Sequence, residues 1–437
     1  MRRMQLVVIG LSLLQVVLCG RIYGVKSPEK MLYQFGGNSD GGGPYTGVTF
    51  DASGNIYGAT NSYGADGVGV VFQMTPTDNG WLYNVIYTFQ KSGGDGQYPY
   101  GNLVFDTSNN LYGATTNGGA FGQGAVYKLS SAGGGEWSES IVYSFGGAGG
   151  DGEGPASGVV LDASGRLYGT TERGGLVSSQ CPTGCGIVFR LTPSPSGQWT
   201  ESVLYAFQGG NDGVQPSGIV LDSAGNLYGS TLSGGGSGCK SNPYLGCGTI
   251  FELSPSEGGN WTESVLYPFQ GKRDGAYPNS GVILDSGGNL YGTAEFGGAY
   301  GLANCAGSGP GCGVVFELSP NGQGGWTYTS LHMFRGTVNG NKDGARPFAG
   351  LVFDNAGRLY GTTAVGGVGT YGFGTVFRLT PGQNGKWSEE RYSFPAQSDG
   401  YFPAAGVTLD SSGNVYGTTS GGGQRGFGLV FELIPPN

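Results

Sequence analysis

Charged side chains and histidine are scarce in this chain, and each shortage removes a class of function. Only 12% of its 437 residues are charged, and the acidic ones prevail, giving a net charge of -9. Nucleic-acid binding needs clustered Lys and Arg to displace counterions from phosphates, so this balance argues against it. The single histidine, His332, would have to anchor any Ser-His-Asp triad or histidine-built metal centre alone, and nothing nearby in sequence suggests one. It stands where other copies of the repeat described below carry tyrosine, as at Tyr205 and Tyr267, and reads as a packing substitution. No metal and no cofactor is expected. Long apolar runs are also missing, apart from Leu6 to Leu18 behind Arg2 and Arg3. That run is too short for a dependable membrane span and reads as an export signal over residues 1–20. Cys19 stands where a lipid would be attached, but Leu18 replaces the small residue that such sites prefer.

Glycine is abundant, with 93 residues, a content that suggests disorder unless the glycines fall at fixed places. Here they do. One pattern of about 60 residues recurs seven times between about Leu32 and Leu433, and no linker separates the copies. The expected organisation is therefore one domain over residues 21–437.

Each copy resolves into four strand-like pieces, here called a to d. Strand a is an apolar run ending in Asp, at Gly47 to Asp51, Gly101 to Asp106, Gly158 to Asp162, Gly218 to Asp222, Gly281 to Asp285, Gly350 to Asp354 and Gly406 to Asp410. Its apolar character predicts burial on both faces, as the innermost strand lining a central channel. Strand b follows a tight turn, as in Asn226 to Thr231, and strand c reads like Gly313 to Leu318. Strand d starts at Trp81, Trp137, Trp199, Trp261, Trp326 or Trp387 and runs to a Phe, as from Trp199 to Phe207. Aromatics at equivalent places predict packing between neighbouring sheets.

The last copy ends at Leu433 without a strand d, while Met31 to Phe35 form an orphan strand d at the other end. The two defects complement each other. The pattern thus predicts an all-β, seven-bladed β-propeller with four antiparallel strands per blade, its ring closed by the N-terminal strand pairing with the last blade.

Two Asp turns recur. The a–b turn, as in Asp222 to Asn226, has Asp to bind the following backbone and Gly for positive φ. It lacks the alternating ligands of a calcium loop. The d–a connection carries an Asp-Gly pair and then Pro, as at Asp212, Gly213 and Pro216. Antiparallel order places the d–a and b–c connections on one face of the ring. Gly-rich stretches such as Gly118 to Gly124 join strand to strand and offer no helix start to an anion.

Six cysteines fall as three local pairs, Cys181 with Cys185, Cys239 with Cys247, and Cys305 with Cys312, each within one b–c loop. Such pairs read as disulfides of an oxidising compartment. The spacing between successive strand-a aspartates is 55, 56, 60, 63, 69 and 56, so the longest copies are those with the cysteine loops and the d–a loop Arg335 to Lys342. Length variation on a rigid scaffold marks the loop face of blades 3–5 as the candidate ligand surface, with Asp151, Asp212, Asp274, Asp343, Tyr244 and Tyr300 on it.

The pieces D-G-x-x-P-x-x-G, D-x-x-G-N-L-Y-G-T-T-x-x-G-G and G-x-V-F-x-L, as at Asp212 to Gly218, Asp222 to Gly235 and Gly248 to Leu253, resemble the GloVer tandem repeats of exported bacterial proteins. The strand a to strand b portion is also similar to the NHL-type repeat. These resemblances imply a propeller and an exported protein, but no defined reaction and no catalytic residues. The leading expectation is a monomeric, secreted or periplasmic binding or scaffold protein for an extracellular protein, peptide or glycan, with no membrane span after signal removal. The alternatives are a carbohydrate hydrolase or lyase using channel-mouth aspartates such as Asp212, Asp274 or Asp343, and a structural protein of the cell envelope.

Overall fold

The computed structural model describes residues 29–434 except 237, 240–245, 299–304, 306–310, 338–341 and 370–371. Cys19, Tyr244, Tyr300 and the expected export signal lie outside the described residues. The seven repeats form seven blades, each a path of four antiparallel strands in the order a-b-c-d. Blade 4 is representative, with Val214–Leu221, Leu227–Ser233, Thr249–Pro255 and Trp261–Pro268. Among the described residues no helix is long and apolar enough to cross a membrane.

Strand d alternates exposed and half-buried residues, as over Gly80–Thr88, because it is the outermost strand of its blade. Strands a converge on the axis, where Val160, Val220, Ile283, Leu351 and Val407 line a cavity of about 290 Å³. The regular pairing of strand a is shorter than the sequence suggests: only Thr49–Phe50, Val160–Leu161, Val352–Phe353 and Thr408–Leu409 in four blades. Backbones of adjacent blades nearly touch at the axis. A Cβ on Gly101 would lie 1.9 Å from the Gly158 amide nitrogen, and one on Gly281 would lie 2.1 Å from the Gly218 carbonyl oxygen.

The ring closes as expected. Glu29–Gln34 pairs antiparallel with Leu429–Leu433 and supplies strand d of blade 7. Its register shifts between Met31 and Tyr33, opposite Phe431 and Val430. The c–d pairs of blades 1 to 5 have a shift at the same place, as between Val188 and Phe189. Blade 6 lacks it, because one residue fewer separates Trp387 from its Phe394, and this sets Arg391 opposite Phe377.

An equivalent aromatic pair recurs at each seam between blades. The Phe that ends strand d of one blade meets the aromatic residue of strand c in the next: Phe35 with Phe72, Phe89 with Tyr127, Phe145 with Phe189, Phe207 with Phe251, Phe269 with Phe316, Phe334 with Phe377, and Phe394 with Phe431. Centroids are 5.0–5.5 Å apart in edge-to-face geometry. The Gly after the strand-b tyrosine makes room for this ring, since a Cβ on Gly229 would sit 2.6 Å from Phe251 Cζ. The tryptophans pack between sheets too, as Trp137 on Tyr57 and Trp199 on Tyr112 of the preceding blade.

The a–b aspartates are structural. Asp222 Oδ1 accepts the backbone N–H groups of Ala224 and Asn226 at 2.9 and 2.8 Å, and Oδ2 accepts from Asn226 Nδ2 at 2.8 Å and the Tyr228 hydroxyl at 3.4 Å. The same backbone bond, from the residue four positions on, recurs at Asp51, Asp106, Asp162, Asp285, Asp354 and Asp410.

Candidate functional site at the channel mouth

The d–a aspartates, offered above as channel-mouth groups, are held beside strand d at the outer part of each seam, and none of them lines the channel. Asp212 accepts from the Gln208 N–H at 2.6 Å and the Tyr205 hydroxyl at 3.1 Å. Asp40, Asp95 and Asp274 accept from the equivalent backbone N–H and tyrosine. Asp151 accepts from Gly146 and Gly152 N–H, and Asp343 from Arg335 and Gly344 N–H. Asp399 departs from this scheme, and Tyr392 donates to Glu29 instead.

A third side chain, from strand d of the next blade, faces each pair. It is Glu139 near Asp95, Glu201 near Asp151 and Glu263 near Asp212. Burial, and then the neighbouring aspartate, pushes each of these glutamates up to about 7. At two seams a tyrosine replaces the Glu: Tyr83 stacks on Tyr33 and donates to the Asp40 carbonyl, and Tyr328 stacks on Tyr267 and donates to that of Asp274. No single repeat contains this contact, and so sequence reasoning missed it.

The three disulfides bridge the expected pairs and lie on the face of the d–a turns. A Cβ on Gly209 would meet the sulfurs of Cys185 and Cys181, and one on Gly271 those of Cys239 and Cys247.

The same face holds a feature that the sequence reading did not single out. The residue before the d–a proline has positive φ in every blade, at Gly43, Tyr98, Gly154, Gln215, Tyr277, Arg346 and Phe402. Five are not glycine, and a left-handed backbone before proline is costly for them, at roughly 1–3 kcal/mol each. Just after these prolines the chain enters the channel lining, at Tyr45, Tyr100, Ala156, Asn279, Phe348 and Ala404 in six blades and at Gly218 in blade 4, which puts the seven positive-φ residues next to its mouth, at the rim. Each donates its N–H across the seam to the b–c loop of the preceding blade, at 2.8–3.0 Å. For Gln215, Tyr277 and Arg346 the acceptors are the carbonyls of Cys185, Cys247 and Cys312, so each disulfide-closed loop backs one strained residue. A bulky residue before Pro, where two copies have Gly, was the available signal.

Charge gathers beside this rim. Arg346 donates to Glu295 Oε1 through Nε at 2.8 Å and Nη2 at 2.5 Å, and its guanidinium lies over Phe296 at 5.4 Å. Tyr277 meets Phe296 edge-on at 5.9 Å. Burial raises Glu172 and Glu295 above the usual carboxylate range. Within the channel Tyr45 and Tyr100 stack at 6.2 Å, and burial, followed by Glu172, pushes the Tyr100 hydroxyl up to about 12. The arrangement offers flat aromatic faces, acceptor carboxylates and guanidinium groups around a narrow opening.

A comparison with curated proteins gives no match. Among solved structures the chain is similar to a gluconolactonase of Xanthomonas campestris, at 14% identity and TM-score 0.41, covering 77% of this chain and 86% of that one. It is similar to the PQQ domain of pyranose dehydrogenase from Coprinopsis cinerea, at 12% identity and TM-score 0.43, covering 77% and 92%. It is also similar to PorZ, a surface component of the type-IX secretion system of Porphyromonas gingivalis, at 13% identity and TM-score 0.43, covering 85% and 44%. Residues 19–180 and 175–431, which take in nearly all of the propeller, match one repeat family, and the chain belongs to it: the Gloeobacter/Verrucomicrobia repeat family.

Proposed function

We propose that the protein is an exported binding propeller whose channel rim, on the d–a and b–c face, takes a glycan. The observation that carries this reading is the ring of strained, non-glycine residues before the d–a prolines: Tyr98, Gln215, Tyr277, Arg346 and Phe402. Backbone strain persists where the surroundings over-determine it, and it concentrates at ligand sites. Here the disulfide-closed loops of blades 3–5 hold three of the five through Cys185, Cys247 and Cys312. Sugars are amphipathic, so aromatic faces beside buried acceptors, as at Tyr277 and Glu295, suit them. Three disulfides accord with an oxidising compartment outside the cytoplasm. The hydrolase alternative loses two of its three named residues, because Asp212 and Asp274 accept hydrogen bonds that hold their own turns. The test is a glycan array on the oxidised chain, followed by titration calorimetry with Tyr277→Ala and Phe402→Ala. A reduction of at least tenfold in affinity is expected. An array without any bound glycan, or binding indifferent to both substitutions, would sink the reading.

A further inference from the structure

Between blades 5 and 6 the seam breaks its own rule. His332 occupies the place of the tyrosine, Asp343 is the turn aspartate, and Glu389 comes from the next blade. His332 still packs edge-on against Phe334 at 4.7 Å, as Tyr205 does on Phe207 at 5.1 Å, so the packing role is kept. The hydrogen bond is lost. At four other seams the tyrosine hydroxyl lies 2.9–3.2 Å from its aspartate, whereas His332 Nε2 lies 3.5 Å from Asp343 Oδ2.

We propose that His332, Asp343 and Glu389 form a binding site for a divalent first-row metal ion, best suited to Zn²⁺. Their donor atoms all lie within 4.8 Å of one another. Two donors on a tetrahedral ion with bonds of about 2.0–2.1 Å sit roughly 3.3–3.4 Å apart, close to the His332 to Asp343 separation and too long for a good hydrogen bond. A second observation is independent of that spacing. The Glu389 side chain is only 9% exposed and its Oε1 is buried with no hydrogen-bond partner among the described residues, as are those of Glu139, Glu201 and Glu263, but only here does such an oxygen stand beside a buried, unpartnered imidazole nitrogen, His332 Nε2. Glu389 Oε2 is already held by Arg391, whose Nε donates to the Lys342 carbonyl at 2.8 Å. An outer arginine that fixes one carboxylate oxygen leaves the other to bind, as supporting groups do at metal centres.

The donor set selects the ion. One imidazole nitrogen with two carboxylates suits Zn²⁺ and its neighbours, whereas Ca²⁺ takes six to eight oxygens and Mg²⁺ a near-octahedral shell of them. A tyrosine could not serve as well, because a phenol keeps its proton at neutral pH. The site opens into a cavity of about 490 Å³ lined by His332, Arg335, Asp343 and Arg391, which leaves the remaining coordination position open to water or an anion.

The test uses the full oxidised chain with Cys19→Ser, whose six other cysteines are paired and cannot bind the ion. Titration with Zn²⁺, and with Co²⁺ read by its visible absorption, should show one ion per chain. His332→Tyr restores the residue of the other seams, so it should fold and melt as the parent does in chelator and lose the Co²⁺ band. Glu389→Gln should weaken binding at least tenfold. Absence of stoichiometric Zn²⁺ binding by the parent, or an unchanged Co²⁺ band in folded His332→Tyr, would overturn the assignment.

Discussion

The glutamates at the blade seams make a measurable prediction about pH. Glu139, Glu201 and Glu263 ionise near 4.5 when unfolded and near 7 in the ring. The folded state therefore holds protons that the unfolded chain has released, and its stability falls as pH rises from about 4.5 to about 7. A shift of this size corresponds to roughly 3 kcal/mol for a fully buried carboxyl. These groups retain solvent contact, and screening reduces the figure to about 1 kcal/mol each. The three together should cost about 3 kcal/mol between pH 4.5 and pH 8. For a chain of this size that is a fall of about 3–4 °C in melting temperature. Replacing all three by glutamine removes the titrating groups and keeps their shape. The triple variant should match the parent at pH 4.5 and exceed it by those few degrees at pH 8, in calorimetric melts at constant ionic strength. A variant that shows the parent's pH dependence, or is the less stable at pH 8, would refute the reasoning.

Four further outcomes are expected. Phe35→Ala removes a fully buried ring from the closing seam, should cost about 3–5 kcal/mol, and is read by denaturant unfolding; deleting Glu29–Gln34 bares the edge of Leu429–Leu433 and should shift gel filtration toward oligomers. Gly229→Ala forces a methyl against Phe251, and the loss in melting temperature should be partly recovered in the Gly229→Ala, Phe251→Leu double variant. Gln215→Gly relieves a left-handed backbone at φ 59°, so its melting temperature should equal or exceed the parent's; a clear fall would show that the backbone there is not strained.

The blades were legible because each strand type recurs with its own burial pattern, and the closing strand was legible because one copy of strand d is missing where another is spare. The a–b turns were equally plain: Asp, Gly and Asn at fixed spacing bind one another within a single hairpin, as at Asp222. What escaped the sequence reading lies between repeats. Glu389 meets His332 only after two blades pack, so a histidine that looked solitary stands beside two carboxylates. The rim escaped for another reason, since the backbone of Tyr277 before Pro278 is unusual without its side chain being so. The d–a aspartates lie away from the channel lining, a placement not legible in the sequence because a repeat pattern gives the order of strands and not the radius at which a turn lies.

The pairing of Glu29–Gln34 with Leu429–Leu433 also sets an order of events. Lys30 and Glu432, ion-paired at 3.1 Å, are separated by 402 positions along the chain. Six blades can each form from neighbouring hairpins, but the seventh must wait for the whole chain. Joining ends so far apart costs roughly 5 kcal/mol of loop entropy when the rest is unformed, and little once six blades have brought the ends together. Closure is thus the expected last step of folding, with the first strand an unpaired, pairing-competent segment until the final strand c exists.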